Sequence, residues 1–163
     1  MTTRKSVRIL GIDPALNNTG WTILDFQGND PIFVSMGHIS NKQKTDYYVK
    51  LANIRSSIVE LVQKYKPQVL SIEETFVNTN ARSSLKLGVV RGVIISVALE
   101  YGLEVKEFEP SEIKKAITGT GRAEKEQVSY MAKVLVPQAS PKTLDESDSL
   151  AITLCGGFSL NNV

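Results

Sequence analysis

Val7-Arg8-Ile9-Leu10-Gly11-Ile12-Asp13-Pro14 decides the fold: it is an apolar run of strand length that ends on a carboxylate and a proline. Two β-rich segments follow, over residues 20–26 and 32–39, with turn signals at Asn17-Asn18 and Gly28-Asn29-Asp30-Pro31. These three segments predict a meander. Tyr47, Leu51, Ile54, Ile58, Leu61, Val62 and Tyr65 then recur at helical spacing, and Lys66-Pro67 ends the pattern. Val69-Leu70-Ser71-Ile72-Glu73 is nearly all apolar, as in a strand covered on both faces, so the helix before it reads as a crossover onto a parallel neighbour. Farther on, the pattern predicts a long helix over 81–101, a fifth strand over 103–108, a helix after Pro110 and a break at Gly119-Thr120-Gly121. A helix over 124–135, a proline-flanked loop over 137–141 and a last helix over 144–155 complete an α/β pattern with no repeat or linker. In the long helix Gly88 and Gly92 share a face. Close packing of helix on sheet explains them at least as well as a contact with a partner.

At 163 residues the chain is long enough for one domain with a substantial core. Apolar content of 42%, charged content of 22% and a formal charge of +2 are ordinary for a soluble globular protein and argue for no particular partner. The lone Cys155 excludes an internal disulfide and a cysteine-based metal cluster. Met1-Thr2-Thr3-Arg4-Lys5 leads into the first strand with no apolar leader, and the longest apolar stretch, around 89–99, carries Arg91 and is too short to span a bilayer. The expected location is the cytoplasm, with no membrane partner.

Acidic residues mark three element ends: Asp13, Glu73, and Asp145 with Asp148 at the start of the last helix. Gathering carboxylates near a core is costly unless a cation neutralises them, so the recurrence suggests a hard-metal site. Each acid also has an ordinary explanation. Asp-Pro starts turns, a strand end reaches water, and acids in a first helical turn complement the helix dipole by about 0.3–1 kcal/mol. Thr143-Leu144-Asp145-Glu146 reads as a capping box, which accounts for Glu146 and sets Asp145 and Asp148 on one face. Asp148 also lines up with Ile152 and Cys155, on the inward side, where the dipole explains little. Glu73 and Glu74 point to opposite faces, and alternation alone does not choose between them. His38 is the only histidine and Cys155 sits within a helix, so an imidazole base or thiol nucleophile is poorly supplied. Oxygen ligands favour Mg²⁺ or Mn²⁺, and acidic sites holding two such ions about 3.5–4 Å apart transfer phosphoryl groups to water.

With these residues in view, the chain resembles the RuvC-type Holliday junction resolvases of the ribonuclease H-like superfamily. The resemblance covers Ile9-Leu10-Gly11-Ile12-Asp13-Pro14 with Thr19-Gly20, Ser71-Ile72-Glu73-Glu74-Thr75-Phe76, and residues 81–92 (ARSSLKLGVVRG). It continues through Ile113-Lys114-Lys115 with Thr118-Gly119, Ala123-Glu124-Lys125 with Gln127-Val128, and Asp145-Glu146-Ser147-Asp148-Ser149-Leu150-Ala151-Ile152. It implies one nuclease domain over residues 1–163, built on a five-stranded mixed sheet with three antiparallel and two parallel strands, flanked by helices. It also implies that Asp13, Glu73, Asp145 and Asp148, and not Glu74, are catalytic and hold two Mg²⁺ ions per subunit, with Mn²⁺ able to substitute. Such enzymes nick two strands of like polarity in a four-way junction, leaving 5′-phosphate and 3′-hydroxyl ends, in homologous recombination and repair.

Family members act as homodimers, alongside a branch-migration motor and its junction-binding subunit. In them the segment matching residues 76–82 reaches the junction centre. The resemblance thus assigns DNA contacts to Phe76, which would stack on an unpaired base, and to Asn80 and Arg82. Thr75, Asn78, Thr79 and Asn80 flank Phe76 with polar side chains, which argues against a core aromatic. Lys114 and Lys125 match phosphate-holding positions, and Arg122 is a looser candidate; the ordinary alternative is solvated lysines on helix faces. Where the family usually continues Asp-Pro with Gly, this chain has Ala15, which would be strained by about 1 kcal/mol if that turn used a positive φ. Two other classes compete. Actin-like ATPases share a similar first strand but need two lobes, and a non-catalytic junction binder would have no use for four acids.

Overall fold

The computed structural model describes residues 5–77 and 79–161, so Met1 to Arg4, Asn78, Asn162 and Val163 lie outside the described residues. The elements are β1 (Val7–Asp13), β2 (Asn18–Gln27), β3 (Asp30–Ser40), α1 (Tyr47–Tyr65), β4 (Val69–Glu73), α2 (Ala81–Glu100), β5 (Glu104–Phe108), α3 (Pro110–Thr118), α4 (Lys125–Leu135) and α5 (Leu144–Phe158). The strands form one sheet in the order β3-β2-β1-β4-β5. The β1–β2 and β2–β3 pairs are antiparallel, while β4 runs parallel to both β1 and β5, as the α1 crossover requires.

Side-chain alternation sorts the strands between two cores. Leu10, Ile12, Ile23, Leu70 and Ile72 face α1 and α2, whereas Ile9, Leu24, Phe26 and Val69 face α3, α4 and α5. The central helix is α5, buried almost throughout beyond its first turn. It lies flush on the sheet because Gly11 and Gly20 have no side chain: a Cβ there would run into Thr153 and into the Asp145 carbonyl, respectively. Polar rungs then set its register. Thr22 Oγ1 and Ser149 Oγ are 2.7 Å apart, and Ser71 Oγ donates to the Ile152 carbonyl at 2.7 Å. Buried bonds of this kind contribute about 0.5–1.5 kcal/mol each, and leaving one partner unpaired costs more.

Three expectations change. Ala15 is unstrained: among the described non-glycine residues only Lys66, which ends α1 before Pro67, has a positive φ, and Ala15 is held by Thr19 through its N–H at 3.2 Å and its carbonyl at 2.6 Å. Gly88 and Gly92 do not serve helix-on-sheet packing, since a Cβ at either would meet nothing within 4 Å. The capping box at α5 closes only halfway: Thr143 Oγ1 accepts the Glu146 N–H at 3.1 Å, but Glu146 does not turn back to Thr143. Full boxes form at α3 and α4 instead. Among the described residues no helix is long and apolar enough to cross a membrane.

Candidate active site

The acids meet where β1, β4 and α5 come together. Ile12 stands opposite Ile72 in the parallel pair, so Asp13 and Glu73 end neighbouring strands at the same edge. Both fall in the alternation set of Ile9, Gly11, Val69 and Ser71, which faces α5. Glu74 follows the strand on the opposite phase, with its N–H on the Phe108 carbonyl at 2.8 Å. Asp145 arrives from above, its carbonyl against Gly20, the residue paired with Asp13. Asp148 follows one turn later on the same helix.

These carboxylates oppose one another. Burial, and then the charges of Asp148, Glu73 and Asp145, push the Asp13 carboxyl up to about 7, against a smaller opposing pull from Lys125. Burial and Asp148 likewise raise Glu73, partly offset by Lys125, Lys114 and Arg91. Lys125 Nζ donates to Asp148 Oδ2 at 2.8 Å, and this contact holds the ammonium pKa above its usual value.

Beside the acids is a cleft of about 250 Å³ between α3, α4 and α5, with Glu73, Asp148, Lys114 and Lys125 among its walls and Ile113, Val128 and Ile152 on its apolar side. Phosphate charge entering there would meet lysines, while a cation would meet carboxylates. Among the described residues no three His, Cys, Asp or Glu side chains are already drawn into a metal-holding group. The donor chemistry nevertheless fits a hard divalent ion, because the ligands on offer are carboxylate oxygens and four carboxyl groups face only two nearby ammoniums, Lys114 and Lys125.

The other candidates fall into two groups. Lys114 and Lys125 join the acids. Phe76 is 55% exposed in the segment after β4, against a groove with Leu85 and Val89, so it is not a core aromatic. Asn80 has a local task, capping α2 with Oδ1 on the Ser83 N–H at 3.1 Å. Arg82 is exposed in the first turn of α2, and Arg122 is exposed in the α3–α4 connection, outside the cleft. The basic residues do not share one face: Lys115 lines a separate groove with Cys155 and Phe158, and Lys86 lies over the Tyr47 ring.

Sequence reading missed two groups. Arg91 donates to the Glu73 carbonyl at 3.0 Å and to Glu107 Oε1 at 2.5 Å, which braces the end of β4; a charge inside an apolar helix was its available signal. Glu146, read from the sequence as half of a capping box, is instead 4% exposed and paired with His38 Nδ1 at 2.9 Å. No spacing rule connects residues so far apart in sequence.

A family model described as crossover junction endodeoxyribonuclease RuvC matches residues 9–156. The protein of that name from Rhizobium johnstonii is 40% identical over 152 residues, covering 93% of this chain and 90% of the relative. The one from Sinorhizobium fredii is 41% identical over 150 residues, covering 92% and 88%. Among solved structures, Thermus thermophilus RuvC in complex with a Holliday junction substrate superposes with a TM-score of 0.89 at 23% identity, covering 96% of each chain. The yeast mitochondrial Holliday junction resolvase Ydc2 superposes with a TM-score of 0.61 at 12% identity, covering 96% of this chain and 82% of that one. Both likenesses concern the fold, which is ribonuclease H-like.

Proposed function

The chain belongs to the RuvC family of crossover junction endodeoxyribonucleases, and on that premise we propose that it resolves four-way DNA junctions with Asp13, Glu73, Asp145 and Asp148 as its catalytic acids. The observation that carries this assignment is the convergence of those acids on the α5 side of two parallel strand ends, next to Lys114 and Lys125. The four carboxylates would hold two Mg²⁺ ions, with Mn²⁺ as a substitute. When bound, these ions supply water activation and stabilisation of the leaving 3′-oxygen.

The chain's own residues do the rest. Asp13 and Glu73 are fixed by strand ends and Asp145 and Asp148 by a buried helix, so the carboxylates are preorganised at little conformational cost. Lys125, paired with Asp148 at 2.8 Å, is placed to hold a phosphate oxygen of the bound strand, and Lys114 would hold the strand from the other wall. Phe76 stacks on an unpaired base near the junction centre, a contact worth about 1–3 kcal/mol. Arg82, Asn80 and Arg122 are more distant DNA contacts. The enzyme acts as a homodimer of one nuclease domain per chain, and Gly88 and Gly92, open and flanked by exposed Leu85 and Val89, suit the approach of a second copy. It works in the cytoplasm with a branch-migration motor and its junction-binding subunit.

Incubating the protein with a synthetic four-way junction in Mg²⁺, Mn²⁺ or EDTA tests this reading. Paired nicks at symmetric positions, ligatable and absent in EDTA, are the expected result. Cleavage unaffected by EDTA, or ATP hydrolysis without nicking, would overturn it.

A further inference from the structure

His38 and Glu146 tie the start of α5 to the sheet at the row that carries Asp13. Asp13 pairs with Gly20 across β1 and β2, and Gly20 pairs with His38 across β2 and β3. Along that row Gly20 is bare backbone, and the Asp145 carbonyl and Glu146 N–H press directly against it. The side-chain link from the row to the helix comes from the outermost of these strands: His38 Nδ1 donates to Glu146 Oε1 at 2.9 Å. Glu146 Oε2 accepts the Lys142 N–H at 2.6 Å, so both oxygens of this buried carboxylate are occupied. The helix start does not need this arrangement for capping, because Thr143 already provides the cap. Burying an acid is costly unless it is paired, and a paired acid specifies one orientation more strictly than apolar contact does.

We propose that His38 and Glu146 are positioning residues: they clamp the first turn of α5 onto the Asp13 row and so hold Asp145 beside the Asp13 strand end, where it would serve as a metal ligand. This rests on the reading of Asp145 as a metal ligand in junction cleavage. Asp148 depends less on the clamp, because Ser149, the residue after it, is held to Thr22. Loosening the clamp therefore withdraws Asp145 and leaves the DNA-binding surface intact.

Two readouts on the full chain test the clamp: calorimetric Mn²⁺ binding without DNA, and the Mg²⁺ concentration at half-maximal junction nicking. His38→Ala should weaken Mn²⁺ binding and raise the half-maximal Mg²⁺ by about tenfold, with junction affinity in EDTA unchanged. His38→Asn, whose amide nitrogen replaces Nδ1, should restore most of the loss, whereas His38→Gln, which reaches to the Nε2 position, should not. Wild-type metal binding in His38→Ala would overturn the clamp, as would equal behaviour of Asn and Gln. If His38→Ala does not fold, the Asn and Gln pair decides alone. If the wild type binds Mn²⁺ but leaves junctions uncut, the cleavage reading fails, and the clamp is still judged by the Mn²⁺ comparison.

Discussion

Glu146 and Asp13 are both acids drawn in against the same end of the sheet, yet their surroundings differ in kind. Burial pushes Glu146 up, but hydrogen bonds from His38 and the Lys142 N–H outweigh it and leave this carboxyl below the ordinary glutamate range. Asp13 has burial and three like charges against the smaller pull of one ammonium, Lys125, and it rises to about 7. The first acid is satisfied by the protein. The second is left unsatisfied by the protein, and unfavourable charge of this sort is characteristic of functional sites.

The contrast can be broken most severely at the end of β4. Glu73→Gln should lower junction cleavage by roughly 10³-fold, about 4 kcal/mol of transition-state stabilisation, while Glu74→Gln changes it little. Equal losses at both positions would remove the significance of the α5 side. Lys125→Ala should have a smaller effect, with weaker junction binding and a log–log salt slope shallower by about 1. An unchanged slope would return Lys125 to a solvated helix face.

Smaller effects concern stability without metal. In EDTA, Asp13→Asn should raise the melting midpoint and Glu146→Ala should lower it, each ~1 kcal/mol corresponding to about 2–4 °C for a chain of this size. Melting curves that move in the same direction would abolish the distinction between the two acids. The pH dependence carries the same opposition. The folded pKa of Asp13 lies above its unfolded value of 3.8, so the folded protein binds the extra proton and loses stability as pH rises from about 4 to 7. The folded pKa of Glu146 is depressed, so its contribution is present above the ordinary glutamate range and is lost as pH falls through the folded value. Asp13→Asn should flatten the first trend and leave the second.

Much of this was legible in the sequence, because periodicity is local. The run ending at Asp13, the apolar 69–73 segment and the helical spacing of α1 pointed to a meander followed by a parallel crossover, both present in the sheet, and element ends located the acids. What was not legible depended on which face was covered, and by what. Alternation alone left Glu73 and Glu74 open, the resemblance chose Glu73, and the physical distinction appears only when α5 is seen to lie on the Ser71 side. Glu146 looked like half of a capping box because its partner, His38, approaches from the far strand of the meander. Gly88 and Gly92 looked like packing positions, yet they lie on the outer face of α2.

The most direct measurement is cleavage of a synthetic four-way junction by wild type and Asp13→Asn side by side, with junction binding measured in parallel. The wild type should nick the junction in Mg²⁺, and the variant should bind it equally well while cutting at least about 10³-fold more slowly. Equal cleavage by the two proteins would contradict the assignment of Asp13 and of the site built around it.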